Sequence, residues 1–123
     1  MRLTEADLKS AVTDYLQYQM NLGKLWFTRL NSGEAFVKKG SKFHKIQLCP
    51  EGTSDFIVIK KWKVGVFCEV FFLELKTIKG RQRPAQKAFQ IIVEKQQGNY
   101  FIIRSVEELE EILNCQYGSK GGM

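Results

Sequence analysis

The spacing of apolar residues near the start of the chain predicts an amphipathic helix. Positions three and four residues apart form one apolar stripe, made of Leu8, Ala11, Val12, Tyr15 and Leu16. Thr4 followed by Asp7 is typical of a helix N-terminus. Asparagine and glycine at Asn21 to Gly23 predict its end. We therefore expect the first helix to begin just after Thr4 and to stop near Asn21.

Short apolar segments farther along predict strands. They are residues 25–30, a short hairpin around 35–37 and 43–48, then 56–59, 64–76 and 100–103. The run at 56–59 is typical of a strand buried on both faces, and a basic turn joins it to the next strand. Trp26 and Trp62 are candidates for stacking on nucleic-acid bases. Trp26 and Cys68 lie in apolar strand sequence, however, so we expect both in the core.

Two more helices are predicted in the second half. Pro84 suits a first helical turn, and the stripe that follows should face inward: Ala85, Ala88, Phe89, Ile92 and Val93. Ser105 with Glu108 predicts a capping box for a last helix with Val106, Leu109, Ile112 and Leu113 inward. The order α-β-(hairpin)-β-β-α-β-α predicts an α/β fold, a mixed sheet with helices packed on it. We expect one domain over residues 1–117 and a flexible Gly/Ser-rich tail over 118–123.

Composition supports a single globular domain and excludes several classes of protein. Of 123 residues, 44% are hydrophobic and 26% charged, which argues against disorder. The three cysteines are far apart and His44 is the only histidine, so a zinc site and a disulfide framework are both unexpected. No apolar run is long enough to cross a bilayer, and the first residues do not resemble a signal peptide. A cytoplasmic protein without a membrane partner is expected.

The net charge of +6 favours a polyanionic partner, and nucleic acid is the usual one. The basic residues form two clusters: Lys38, Lys39, Lys42 and Lys45, and then Lys79, Arg81, Arg83 and Lys87. They are the candidate DNA contacts. Solvated loops are the alternative interpretation of the same clusters.

Two acids and a lysine in the middle of the chain are the candidate chemistry. Asp55 begins one predicted central strand, while Glu74 and Lys76 lie near the end of the next. Residues two apart in a strand project to one face, so Glu74 and Lys76 should point together. Converging carboxylates suit a hard divalent cation such as Mg²⁺, and a neighbouring lysine suits phosphodiester hydrolysis. The alternative is an aspartate at a turn and a Glu/Lys pair on an exposed strand.

These residues resemble a known family. Gly52-Thr53-Ser54-Asp55, Glu74-Leu75-Lys76, then Gly80 with Pro84 and Gln86, are similar to the VRR-NUC family of the PD-(D/E)XK nuclease superfamily. Residues 29–33 also resemble that family's first strand and turn, so the likeness covers most of the chain. It implies a restriction-endonuclease-like mixed sheet, with an α-β-β-β-α-β core and a C-terminal helix.

The resemblance also implies roles for particular residues. Asp55 and Glu74 would be ligands of Mg²⁺ or Mn²⁺, with the Leu75 carbonyl a third. Lys76 would be the catalytic lysine. Gln86 would be an auxiliary active-site residue, and Glu5 matches a glutamate that the superfamily places near the metal. The sequence departs from the family pattern at Ser54, where proline is usual, and at Arg83, where serine is usual.

The function implied is that of a stand-alone phage or bacterial endodeoxyribonuclease, similar to enzymes that cut Holliday-junction-like or branched DNA as homodimers. A non-catalytic nucleic-acid-binding module on a nuclease-like fold is the main alternative, and an anion-binding protein with a structural Glu-Lys pair is a weaker one. The sequence does not specify the DNA structure, strand polarity, oligomeric state or protein partners.

Overall fold

Three helices and six strands make up the computed structural model, which describes residues 3–61 and 67–115. In chain order they are α1 (Glu5–Asn21), β1 (Trp26–Arg29), β2 (Glu34–Lys39), β3 (Lys42–Gln47), β4 (Phe56–Lys61), β5 (Cys68–Leu75), α2 (Pro84–Lys95), β6 (Asn99–Ile103) and α3 (Val106–Asn114). The predicted order of helices and strands is confirmed. Trp62 and the expected tail at 118–123 lie outside the described residues.

The central sheet has four strands in the order β1-β4-β5-β6. β4 pairs antiparallel with both β1 and β5, whereas β6 runs parallel to β5. The sheet is therefore mixed, as predicted. β2 and β3 form a separate antiparallel hairpin, inserted between β1 and β4.

One face of the central sheet carries the main hydrophobic core. Strand alternation sends Phe56, Val58, Phe71, Leu73 and Leu75 to this face, and all five side chains are fully buried. Helices α1 and α3 cover them with their apolar stripes, which include Leu8, Val12, Leu16, Leu109 and Leu113. The predicted inward faces of these two helices are confirmed.

Helix α2 covers the opposite face. Phe89 of α2 lies edge-on to Phe72 of β5, with ring centroids 5.3 Å apart, and 6.1 Å from the ring of Tyr100 in β6. This second layer is thinner than the first. Ile57 and Ile59 of β4 remain half-exposed, so the prediction that β4 is buried on both faces is wrong.

The inward face of α2 also differs from the prediction. Val93 is buried and Phe89 is half-buried, but Ala88 and Ile92 are exposed, while Gln86 is only 4% exposed. A pattern of apolar residues cannot anticipate that a glutamine faces inward to bind a buried carboxylate. The expected burial of Trp26 and Cys68 is wrong as well, because both side chains are exposed at the outer ends of their strands.

Capping explains where the helices begin. The Thr4 hydroxyl accepts from Asp7 N–H at 3.0 Å and the Asp7 carboxylate accepts from Thr4 N–H at 3.2 Å, so α1 has the predicted capping box. At α3 the box is incomplete. Ser105 accepts from Glu108 N–H, but the Glu108 carboxylate accepts from the N–H of Arg104, one residue earlier than expected.

Within the part of the chain that the structure describes, no helix is both long and apolar enough to cross a membrane.

Candidate active site

Strand pairing brings Asp55 beside Glu74. Phe56 of β4 is paired with Leu73 of β5 in an antiparallel register, so the next step outward places Asp55 opposite Glu74. Both side chains project to the face that α2 covers. The backbone N–H of Leu75 donates to Asp55 Oδ2 at 2.7 Å, and the Asp55 carbonyl accepts from Leu30 N–H at 2.8 Å. Hydrogen bonds therefore hold both the side chain and the backbone carbonyl of Asp55.

Glu74 is an acidic side chain in a nearly closed environment, 3% exposed. Burial, and after it the charge of Asp55, raise the pKa of Glu74 from 4.5 to about 8, whereas Lys76 and Arg83 act in the opposite direction. Glu74 Oε1 has no hydrogen-bond partner among the described residues. An orphaned carboxylate oxygen next to a second carboxylate is costly unless a proton or a cation neutralises it.

Gln86 holds the other oxygen of Glu74. Its side-chain Nε2 donates to Glu74 Oε2 at 3.0 Å, while its Oε1 accepts from the backbone N–H of Arg83 at 2.8 Å. The second bond fixes which way the amide points. Gln86 therefore links the first turn of α2 to the carboxylate of β5, and its side chain is buried.

Lys76 follows β5 and lies on the same side as Glu74. Its Nζ is 3.9 Å from Glu74 Oε2, and its side chain is only 12% exposed. The pair is therefore not an exposed strand-face pair, which was the alternative interpretation of the sequence. The backbone N–H of Lys76 donates to the Ile103 carbonyl at 3.0 Å, so pairing with β6 fixes the position of the lysine.

A close backbone approach positions the segment before Asp55. Gly52 is buried with φ +91°, and a Cβ built there would lie 2.3 Å from the Ala85 carbonyl oxygen. Only glycine fits this contact between the loop and α2. Ser54, at the position where the resembled family has proline, is fully buried and donates its hydroxyl to the Phe56 carbonyl at 3.2 Å.

The acids and the lysine open into a polar cleft of about 430 Å³. Its lining is Glu5, Ser32, Thr53, Asp55, Glu74, Lys76, Thr77, Gly80, Arg81, Arg83 and Gln86. All five candidate catalytic side chains line this cleft, and four of them lie close together: Asp55, Glu74, Lys76 and Gln86. Glu5 stands apart from the rest because it is exposed at the first turn of α1.

The candidate DNA contacts divide into groups. Arg81 and Arg83 line the cleft, whereas Lys79 and Lys87 are exposed nearby and outside its lining. The other four lysines are exposed on the β2–β3 hairpin: Lys38, Lys39, Lys42 and Lys45. Because these basic side chains are exposed, their positions agree both with DNA contacts and with solvated loops.

Comparisons with models of known protein families, with curated proteins and with solved structures each find no match for this chain. The resemblance to VRR-NUC nucleases therefore rests on the quoted sequence motifs alone.

The donor set fits a hard divalent cation in part. Two carboxylates meet, and Glu74 offers a buried oxygen without a partner, which is the kind of ligand that Mg²⁺ or Mn²⁺ takes. The described residues contain no cluster of three His, Cys, Asp or Glu side chains. Glu5 does not complete such a cluster. Further oxygen ligands for the cation would come from water, substrate or backbone. The Leu75 peptide adjoins the two carboxylates, because its N–H donates to Asp55.

One important residue was missed by sequence reasoning. Arg104 follows β6, and its guanidinium Nη1 donates to the carbonyls of Thr77 at 2.5 Å, Gly80 at 2.9 Å and Ile78 at 3.3 Å. These bonds hold the loop that forms one wall of the cleft. The sequence offered no signal for this role, because a single arginine between a strand and a helix cap is unremarkable.

Proposed function

We propose that this chain is a divalent-metal-dependent endodeoxyribonuclease with its active site at Asp55, Glu74 and Lys76. One observation carries the proposal: a buried glutamate with an unpartnered oxygen lies against a second carboxylate, with a nearly buried lysine 3.9 Å away, in a cleft that two arginines line. Burying such a group costs stability, and a functional site is the usual reason for keeping it.

The two carboxylates would hold the cation, Glu74 through Oε1 because Gln86 and Lys76 engage Oε2. Mg²⁺ or Mn²⁺ bound there would neutralise charge on a phosphate and lower the pKa of an attacking water. Gln86 keeps Glu74 in position during the reaction.

Lys76 and the arginines act on the substrate. The Lys76 ammonium stabilises the negative charge that develops on the phosphate oxygens as water attacks. Arg81 and Arg83 bind phosphates of the DNA backbone at the mouth of the cleft, where guanidinium groups suit phosphate geometry. Glu5, exposed on the rim of the cleft, would add a further negative charge near the cation.

The resemblance behind this proposal adds finer expectations. They are a restriction-endonuclease-like topology, a cytoplasmic location in a bacterium or phage-infected cell, a homodimer that cuts paired strands, and action on branched DNA such as a Holliday junction. The mixed sheet and the order of elements are consistent with that topology.

The test incubates the purified chain with labelled linear, nicked and branched DNA in Mn²⁺, in Mg²⁺ or in chelator. Asp55→Asn and Lys76→Ala should each lower cleavage at least about a hundredfold, the scale of losing a group that stabilises the transition state. Asp14→Asn and Lys24→Ala, both exposed and outside the cleft, are the matched controls. Thermal unfolding checks that all variants fold.

Cleavage that survives undiminished in Asp55→Asn or Lys76→Ala contradicts the proposed active site. Metal-independent DNA binding without cleavage by the wild-type chain favours the non-catalytic binding module instead. Binding of inorganic phosphate without any affinity for DNA favours the anion-binding alternative.

A further inference from the structure

The β2–β3 hairpin presents a surface with an unusual chemical pattern. The antiparallel register pairs Phe36 with Lys45 and Lys38 with Phe43. Directly opposed residues share a face and residues two apart do too, so these four side chains project together. We call them the aromatic–basic face. On it, each phenylalanine has a lysine opposite and another two residues along its own strand.

Both aromatic rings on this face are open to solvent. Phe36 is 68% exposed and Phe43 is 67% exposed. Leaving a phenylalanine in water forgoes roughly 2 kcal/mol of burial, and contiguous exposed apolar groups usually mark an interaction site. The hairpin's strands pair with each other and not with the central sheet. Neither ring belongs to the hydrophobic core of the domain.

One of the two lysines on this face lies close to an aromatic ring. Lys38 Nζ lies 5.9 Å from the centroid of the Phe43 ring, and Lys45 Nζ makes an exposed ion pair with Glu34 at 2.8 Å. Flat aromatic surfaces alternating with positive charges match a ligand that alternates flat rings with negative charges. Single-stranded nucleic acid has that pattern, because its bases are free to stack and its phosphates are spaced between them.

A second copy of this chain is a poorer match for the same surface. The hairpin carries four lysines against one glutamate, so two copies placed face to face would bring like charges together as they bury the rings. A duplex is a poorer match too, because its bases are already stacked and unavailable to Phe36 and Phe43. An unpaired strand satisfies both the rings and the charges.

The hairpin is also attached at the rim of the cleft. Its two ends meet at the bridge between Ser32 and Cys49, where Gly33 N–H donates to the Cys49 carbonyl at 2.9 Å. Ser32 and Thr53, which flank the hairpin in sequence, both line the cleft. Six residues per strand give the arm a length of roughly 17 to 20 Å. A single strand of nucleic acid that lies along the hairpin can continue into the cleft.

We propose that the aromatic–basic face binds unpaired nucleotides, with bases stacked on Phe36 and Phe43 and phosphates contacted by Lys38 and Lys45. This interaction goes beyond the cleavage chemistry and does not depend on it, because the binding needs neither Asp55 nor a cation. If cleavage also occurs, the hairpin selects DNA that has a single-stranded segment next to the cut site.

The experiment measures binding by fluorescence in chelator, with a single-stranded oligonucleotide about 12 nucleotides long that contains 2-aminopurine. The double variant Phe36→Leu with Phe43→Leu keeps apolar bulk but loses the aromatic faces, and should bind roughly tenfold or more weakly. Tyrosine at both positions should retain binding. The matched control is Val37→Ala with Ile46→Ala, on the opposite face of the same hairpin, which should change affinity less than about twofold.

Salt dependence tests the lysines separately. Replacing Lys38 and Lys45 by glutamine should reduce the slope of log affinity against log salt concentration by about 1.4, the value for two phosphate contacts on a single strand. A blunt duplex of the same sequence should be insensitive to the leucine substitutions. Circular dichroism and thermal unfolding confirm that each variant folds.

Three results would overturn the proposal. The first is that the leucine variant binds the oligonucleotide as tightly as wild type. The second is that it loses affinity for duplex and for single-stranded DNA equally. Alternatively, sedimentation could show a dimer that the leucine substitutions dissociate while oligonucleotide binding is unchanged, which would assign the face to a second copy. Because binding is read without a divalent cation, failure of the nuclease proposal leaves this test unaffected.

Discussion

Replacing Glu74 by glutamine should change how the free energy of unfolding depends on pH. In the folded chain without a divalent cation, burial beside Asp55 raises the pKa of Glu74 from 4.5 to about 8. The folded state then holds a proton that the unfolded state releases. Stability from this group is complete below pH 4.5 and is lost progressively as the pH rises to about 8.

The size of the effect follows from the same values. At about 1.4 kcal/mol per pH unit, the rise in pKa corresponds to a loss of at most about 5 kcal/mol between pH 4.5 and pH 8. With a urea dependence of roughly 2 kcal/mol per molar, the unfolding midpoint would fall by up to about 2.5 M. Glu74→Gln keeps the shape and can accept the Gln86 hydrogen bond, but it has no proton to lose.

The assay is urea unfolding in chelator at several pH values from 5 to 9. Wild type and Glu74→Gln should be similar near pH 5, and the variant should be several kcal/mol more stable at pH 9. Glu111→Gln, on an exposed carboxylate of α3, is the matched control. The range from pH 5 to pH 9 excludes the titration of two other groups. Hydrogen bonds with Thr4 lower the pKa of Asp7, and burial raises the pKa of Tyr100 to about 12.

Parallel pH profiles for wild type and Glu74→Gln would refute this reasoning. Such a result would mean that Glu74 is hydrated in the folded chain and that its carboxylate is not a costly buried group. Burial also raises the pKa of Glu69, in the same direction. Because wild type and variant both contain Glu69, the difference between their profiles isolates Glu74.

Two further substitutions test the frame of the cleft. Gly52→Ala should lower the free energy of unfolding by about 2 to 4 kcal/mol, because its Cβ would collide with the Ala85 carbonyl. Gly23→Ala, with φ +76° but open space, should cost only about 1 kcal/mol, and equal melting temperatures for the two variants would contradict the contact. Arg104→Ala should speed amide hydrogen exchange in the loop at 77–80 while α1 stays protected, since it removes three hydrogen bonds to that loop; unchanged exchange there would show that the loop holds itself.

The sequence predicted the architecture well where hydrophobic burial alone decides it. The stripe of α1 was located because three- and four-residue spacing follows from helix geometry, and the strand at 56–59 because a short apolar run predicts a strand. The common face of Glu74 and Lys76 was predicted because a two-residue spacing fixes it. The antiparallel register that sets Asp55 opposite Glu74 is given by the structure, because strand pairing is not a local property of the sequence.

The errors arose where polar chemistry overrides hydrophobic pattern. Helix α2 turns Gln86 inward to reach Glu74, and this leaves Ile91 and Ile92 exposed at 56% and 59%. No count of apolar positions can predict that rotation, because the driving contact is with a residue twelve positions away in another element. Arg104 was missed for a similar reason, since its partners are backbone carbonyls that have no sequence signature.

The aromatic rings of the hairpin illustrate a different limit of prediction from sequence. In the sequence, Phe36 and Phe43 cannot be distinguished from strand residues that pack into a core. Only the three-dimensional arrangement shows that no core lies beneath them. Sequence supplies the alternation of lysine and phenylalanine. Structure supplies the fact that the alternation faces solvent.

Because the chain leaves and re-enters the domain at adjacent points, Ser32 and Cys49, the hairpin is topologically a removable insertion. The registers of β1 with β4 and of β4 with β5 involve none of its residues. Closing a longer or shorter loop at this point changes the entropy of folding only slowly with length. Exchanging this one hairpin would therefore change the surface beside the cleft, while the central sheet keeps its geometry.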